Sequence, residues 1–503
     1  MPDRPAPSPT SSVEDRPPGP PPVEGPPPVE GPPPVEGPPP VEGPPAVEEP
    51  PPVEGLPPGP RYPRLVQTAL WALRPIPYAE RLQRRYGDVF TLRPVGLGTI
   101  VVIADPDTIK QVFTGDRDVF HAGEANAAMG PVLGNHSLLL LDGERHLRER
   151  RMMLPPFHGE AVRAYAQRVA ELAAAEVARW PVGEPFPIRP RMQAITLEVI
   201  LRAVIGIRDE GRLARLRALL PQLVEFSVLD MWAVWTFPQL IDSFVGRRHK
   251  SQRVRPEVDR LLFEEIAEHR AHPQGRDDIL AMLVQARDED GQPLSDEALR
   301  DEVITLLLAG HETTTTGLAW CFERLLRHPA ALARVRDELA GGPGDAYLDA
   351  VVHETLRVRP VIDAVWRRLT APAEVAGHRL PAGVTVMPSI ALVHRCAAYP
   401  HPTRFEPERF LEGSPPPYTF LPFGGGPRRC IGASFALMEM KTILATVLEH
   451  AELRAPDPRP EGVRLHHITL VPARGARVVV TEKKAASPPE GAGRRRSSAV
   501  AAP

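Results

Sequence analysis

From Leu56 to Glu482 the apolar positions fall mostly at helical spacing. Glu160–Arg179 is rich in Ala and Leu, and Leu197–Ile205 and Val258–His269 repeat the same three-to-four residue period. Ser295–His328 predicts one long helix, with Ser295 and Asp296 as start signals and Pro329 as a stop. At 1.5 Å per residue it would run roughly 50 Å, and its apolar middle predicts that it crosses the core of a large domain. Ala433–His450 predicts a further helix. Alternation replaces this period in two places. Val89–Leu92 and Thr99–Ile103, around Gly96 and Gly98, predict a hairpin, and Val463–Thr481 returns to a β pattern. The expected fold is mainly α, with a smaller β region drawn from both ends of the chain.

The pattern stops at both termini. Residues 1–55 repeat Pro-Pro-Pro-Val-Glu-Gly, with valines at 23, 29, 35, 41, 47 and 53, and 26 of the 64 prolines lie in the first 60 residues. Proline fixes φ and removes a donor, and there is little large apolar surface to bury. A mobile, polyproline II-rich tail is expected, with a charge of -8. Residues 483–503 are small and polar around Arg494, Arg495 and Arg496, which predicts a disordered basic tail of charge +4. The expected division is therefore a tail over 1–55, one domain over 56–482 and a tail over 483–503. The domain is nearly neutral, which gives no reason to expect a nucleic acid partner. No run reaches the ~18 apolar residues needed to span a bilayer, and the acidic N-terminus does not read as a secretory signal. A cytoplasmic protein with no membrane anchor is expected. Cys321, Cys396 and Cys430 are too few for a disulfide framework. Each is either a small buried hydrophobe or a chemical group.

Cys430 sits in Phe423-Gly424-Gly425-Gly426-Pro427-Arg428-Arg429-Cys430-Ile431-Gly432. Three glycines let the backbone lie flat against something, Pro427 stiffens the turn, and Arg428 can pair with an anion. The helix predicted from Ala433 places the cysteine just before a helix N-terminus, where the dipole and free N–H groups favour a thiolate. The segment resembles the haem-binding signature of the cytochrome P450 family at Phe423, Gly426, Arg428, Cys430 and Gly432. The resemblance spans nearly the whole domain and implies the cytochrome P450 fold. It places the haem between the long helix and the helix after the cysteine loop, with Cys430 as axial ligand to the iron.

Further motifs follow in the family's order. Ala309-Gly310-His311-Glu312-Thr313-Thr314 is similar to its oxygen-activation segment. Gly310 lets a haem face approach beside Ala309, and Glu312 and Thr313 form an acid and alcohol able to relay protons. Thr313 could also loosen the helix through a bond to the carbonyl one turn back. Glu354 and Arg357 share a helix face. The resemblance adds Arg409, in Pro407-Glu408-Arg409-Phe410, as the third member of a structural brace. His146 and Arg150, four apart, together with Arg367 and Arg428, resemble partners for the two haem propionates. Arg368 lies next to Arg367.

The resemblance implies haem b as cofactor, O2 as co-substrate, and insertion of one oxygen atom into an organic substrate. Electrons would come from a separate ferredoxin or flavodoxin with its NAD(P)H-dependent reductase. Arg148, Arg151 and Arg429 are the expected attraction for an acidic donor. A lipophilic substrate such as a fatty acid, terpenoid or other secondary metabolite is expected, and a monomer. Its candidate walls are Phe120–His136, Val224–Phe244 (with Phe226, Met231, Trp232, Trp235 and Phe237), Val361–Val365 and His466–Leu470. A peroxide-driven peroxygenase would typically lack the acid–alcohol pair, and a non-enzymatic haem sensor would need no proton relay.

Overall fold

The computed structural model describes residues 55–223, 250–342 and 344–484. Both expected tails lie almost wholly outside the described residues, as does Val224–Phe244. The longer helices are α1 (Arg64–Leu73), α2 (Pro75–Tyr86), α3 (Pro106–Thr114), α4 (Gly143–Met153), α5 (Glu160–Val177), α6 (Arg189–Val199), α7 (Glu210–Leu223), α8 (Lys250–Ala271), α9 (Asp296–Arg327), α10 (Pro329–Gly341), α11 (Ala346–Val358) and α12 (Ala433–His450). The strands are β1 (Val89–Leu92), β2 (Ile100–Ile103), β3 (Phe120–His121), β4 (Pro185–Pro187), β5 (Arg367–Leu369), β6 (Ala373–Val375), β7 (His378–Leu380), β8 (Thr385–Pro388), β9 (Ala451–Arg454), β10 (Val463–His466), β11 (Thr469–Pro472) and β12 (Arg477–Lys483).

α9 is the axis of the domain. The Ser295 hydroxyl accepts from Ala298 N at 3.1 Å and caps its start. Asp296 and Glu297 fill the first turn, Arg324 and Arg327 the last, each matched to the helix dipole. Leu318 to Phe322 are fully buried, as a helix through a core requires. α9 packs on α6, α8, α11 and α12. Its crossing with α12 is close: a Cβ on Gly317 would stand 2.9 Å from Met440 Cε. Leu197–Ile205 is helical as expected, but α6 gives way to a π-helical turn at Ile200–Val204. The side chain of Ile200 reaches Gly310 of α9, where a Cβ would come within 3.0 Å.

The β region is several sheets. β1 and β2 form the expected antiparallel hairpin, which continues through β8 and β5 to β3. β2 pairs with β8 in parallel, and β8 pairs with β5 antiparallel. The strands from Val463 onward do not join it: β10 and β11 pair with each other, and β12 runs between β4 and β9. Among the described residues no helix is long and apolar enough to cross a membrane.

Candidate functional site

The cysteine loop is folded by its own backbone. Cys430 N donates to Phe423 O at 2.9 Å and Gly424 N to Leu421 O at 3.0 Å. A Cβ on Gly426 would lie 2.3 Å from Phe113 O, at a φ of 63°, and one on Gly425 would lie 2.5 Å from the Phe113 ring. These two glycines therefore serve the close approach of α3. Cys430 precedes α12 as expected. It is accessible to solvent, while protein packs around its thiol. Burial pushes the thiol pKa up, against the Gly432 N–H and the charges of Arg150 and Arg429. The helix end thus does not by itself favour the thiolate, and ligation to a metal is what would remove the proton. The other two cysteines are packed as small hydrophobes, Cys321 buried and Cys396 partly so. Cys321 is fully buried with its pKa pushed to about 12, and burial also raises Cys396.

Three arginines and a histidine converge beside the loop. His146 and Arg150 share a face of α4, Arg367 comes from β5 and Arg428 from the loop itself. Arg150 donates to Arg429 O at 2.6 Å and lies close enough to feel the Cys430 charge. His146 is buried; burial first, then Arg428, Arg150 and Arg367, hold its pKa down to about 3. Burial and mutual repulsion lower Arg367 and Arg428 to about 10. Asp142 offsets part of this charge. It pairs with Arg428 at 2.5 Å while accepting from the N–H groups of Ala122, Gly123 and Glu124. One carboxylate against three arginines leaves the cluster positive, the environment a pair of propionates requires. Strand alternation resolves the choice between neighbours: Arg367 points inward, whereas Arg368 is half exposed near Glu124. An accessible sulfur donor beside a cluster of excess positive charge fits a haem.

On α9, Thr313 Oγ1 donates to Ala309 O at 2.5 Å, the carbonyl one turn back. Ala309 is exposed in the middle of an otherwise buried helix, and Gly310 follows it, so this stretch also borders open space. Glu312 is placed differently from expectation. Arg189 Nη2 lies 2.5 Å from Oε1, His466 Nδ1 3.4 Å, and Thr469 Oγ1 donates at 3.3 Å. Burial alone would raise this carboxyl, but His466 and Arg189 outweigh it and hold the pKa at about 2. Glu312 is an ion-paired carboxylate, so proton delivery from its own carboxyl is not its resting state. His466 and Thr469 lie in the expected wall His466–Leu470, though not as partners of Glu312, and Arg189 was not found from sequence. Arg189 lies 123 residues from Glu312, and no local pattern marks it.

The brace forms, and its bonds lead toward the cysteine loop. Glu354 and Arg357 are fully buried and joined by two bonds of 2.7 Å. Arg357 also donates to the carbonyls of His394, Pro402 and Arg404. Arg409 stands 3.7 Å from Glu354 and pairs more closely with Glu406. Buried His394, pKa about 3 through burial and Arg357, accepts from Leu421 N at Nε2 (2.7 Å) and so donates from Nδ1 to Arg357 O. Leu421 leads into the turn that holds Phe423 and Cys430.

Of the expected substrate walls, Val361–Val365 and His466–Leu470 are joined, Leu470 N donating to Val361 O at 2.8 Å, and the latter touches Glu312. Burial pushes the Asp363 carboxyl in the first of these up to about 6.

Residues 57–477 match the family model of cytochrome P450. The chain is similar to putative cytochrome P450 135B1 of Mycobacterium tuberculosis, 48% identical over 432 residues, covering 84% of this chain and 90% of that one. Putative cytochrome P450 137 of the same organism is 39% identical over 408 residues, covering 79% and 84%. Among solved structures, retinoic acid bound cyanobacterial CYP120A1 superposes with a TM-score of 0.74 at 25% identity, covering 86% of this chain and all of that one.

Proposed function

This chain belongs to the cytochrome P450 family of haem-thiolate monooxygenases, and from that premise we propose that it inserts one oxygen atom from O2 into a lipophilic substrate over a haem b ligated by Cys430. The observation that carries the ligand assignment is the accessible Cys430 beside Arg150, which with Arg367 and Arg428 surrounds neutral His146. Bound there, haem with a thiolate ligand supplies the O–O cleavage that frees one oxygen atom for the substrate and the other for water.

The chain's own residues do the rest. Arg150, Arg367 and Arg428 neutralise the propionates, and His146 adds a hydrogen bond rather than a charge. Thr313, already bonded to Ala309 O, holds the helix backbone beside the open stretch and presents a hydroxyl that can both accept and donate a proton. Glu312 stores no proton; it becomes useful to Thr313 when Arg189 lets it go. The likeness to a structure that binds retinoic acid supports an apolar substrate. Electrons come from an acidic ferredoxin or flavodoxin and its reductase, drawn to Arg148, Arg151 and Arg429, all exposed.

The test is the difference spectrum of the reduced protein with carbon monoxide. The parent gives the strongly red-shifted Soret band of thiolate ligation and Cys430→Ala does not. A parent without that band, in folded haem-loaded protein, refutes the assignment. Reversing charge at Arg148, Arg151 and Arg429 weakens donor binding at low salt; unchanged electron transfer would refute the docking face.

A further inference from the structure

Surface helices normally turn apolar residues inward; α1 is reversed. Leu65 is 65% exposed and Leu73 78%, and Val66, Ala69 and Leu70 are exposed between them. These positions fall at i, i+1, i+4, i+5 and i+8, a single stripe along one face. The inward side holds Trp71, stacked on Trp366 at 5.7 Å, and is otherwise polar. Gln67, only 4% exposed, donates from Nε2 to Tyr62 O at 3.0 Å and accepts from Arg93 N at 2.9 Å. Thr68 Oγ1 accepts from Val95 N at 2.9 Å. Rolling the helix to hide its leucines would break these bonds and strand buried donors. The outward stripe is thus specified by the polar face.

Its charge setting is one-sided. Arg61 and Arg64 stand at the start of α1, Arg74 follows its last residue, and the helix has no acid. Residues 55–88 hold six arginines against Glu80 and Asp88, and Glu80 is tied to Arg395. A ten-residue helix is only about 15 Å long, too small for the ~800 Å² per partner of a stable protein interface. A narrow aliphatic stripe bracketed by arginines suits a lipid surface, where a few side chains enter the acyl boundary and cations meet the headgroups. We propose that α1 docks this protein peripherally, without spanning, on bilayers rich in anionic phospholipid.

The test uses the full-length haem-loaded protein, acidic N-terminal segment included, floated with vesicles. Phosphatidylcholine alone is compared with phosphatidylcholine containing phosphatidylglycerol. Binding is expected to the anionic vesicles, suppressed by salt. The pair Leu65→Ser with Leu73→Ser should lower the partition constant about tenfold or more, and Arg61→Glu with Arg74→Glu should abolish the preference for anionic lipid. Both variants keep the carbon monoxide spectrum and melting temperature of the parent, since these side chains are exposed. No binding to anionic vesicles, or undiminished binding by the leucine pair, overturns the proposal. So does self-association in solution that the leucine pair abolishes, which would assign the stripe to a second copy.

Discussion

Arg357→Met tests whether the buried brace governs the cysteine loop. The substitution keeps most of the side-chain volume and removes the charge. It leaves Glu354, fully buried, without the partner that meets both its oxygens at 2.7 Å. Breaking a buried pair by deleting one member costs about 3–5 kcal/mol. The carbonyls of His394, Pro402 and Arg404 lose their donor as well, each worth roughly 1 kcal/mol, which pushes the total toward the upper end. The loss should also spread: His394 bonds on one side to Arg357 O and on the other to Leu421 N. Urea unfolding followed by far-ultraviolet dichroism gives the stability, and the carbon monoxide spectrum gives the fraction of protein retaining thiolate ligation. Arg357→Met should lose several kcal/mol and convert part of the population to the unligated spectrum. Adding Glu354→Leu should recover part of the stability, because the orphaned charge goes with it. A single variant within 1 kcal/mol of the parent, or a double variant no better than the single, would refute the reasoning.

Other outcomes follow from particular burials. Glu439 on α12 bonds Thr314 and is pushed by burial from the ordinary carboxyl range up to about 8. Its protonated form is what the fold holds, so its contribution is intact below pH about 4.5 and is lost as pH rises through 8. Glu439→Gln should be more stable than the parent by about 3 kcal/mol at pH 7, a gap that closes toward pH 4.5 in urea titrations; equal stabilities across that window would count against it. His394 has the opposite sign: held neutral to about 3, it withdraws stability as pH falls from about 6.5, by up to about 1.4 kcal/mol per unit. His394→Gln should flatten that acid slope while costing roughly 1–3 kcal/mol at pH 7 through the orphaned Leu421 N–H. Gly426→Ala forces a Cβ onto Phe113 O at positive φ, and should cost about 2–4 kcal/mol and reduce haem content on purification; full haem loading would show that the loop gives way.

The sequence shows best what is local. Ser295, Asp296 and Pro329 mark both ends of α9 to within a residue, and the cysteine loop is legible because its chemistry is packed into ten consecutive positions. Long-range pairing is not. Arg189 meets Glu312, and Phe113 meets the glycines, across separations that no period or spacing encodes. The strands β5 to β8 are three or four residues long, too short for alternation to stand out, so the strand that carries Arg367 escapes a pattern reading although the β1–β2 hairpin of its sheet does not. The π-helical turn at Ile200 is invisible for a different reason: its residues have the same apolar spacing as an ordinary helix, and only packing against Gly310 distinguishes it.

The bond from Arg150 to Arg429 O joins residues 279 positions apart, and that separation sets an order of events during synthesis. At about 5–20 residues per second, a ribosome releases Arg150 and His146 roughly 15 to 55 s before the sulfur that completes their site. Through that interval the nascent chain carries Arg150 and His146, gains Arg367 late and Arg428 two residues before the sulfur, and has no ligand for iron. A chain arrested anywhere before Cys430 can attract an anionic porphyrin but has no thiol here to fix it. Productive capture of the cofactor is therefore confined to the final stage of translation or later, whatever the supply of haem in the cell.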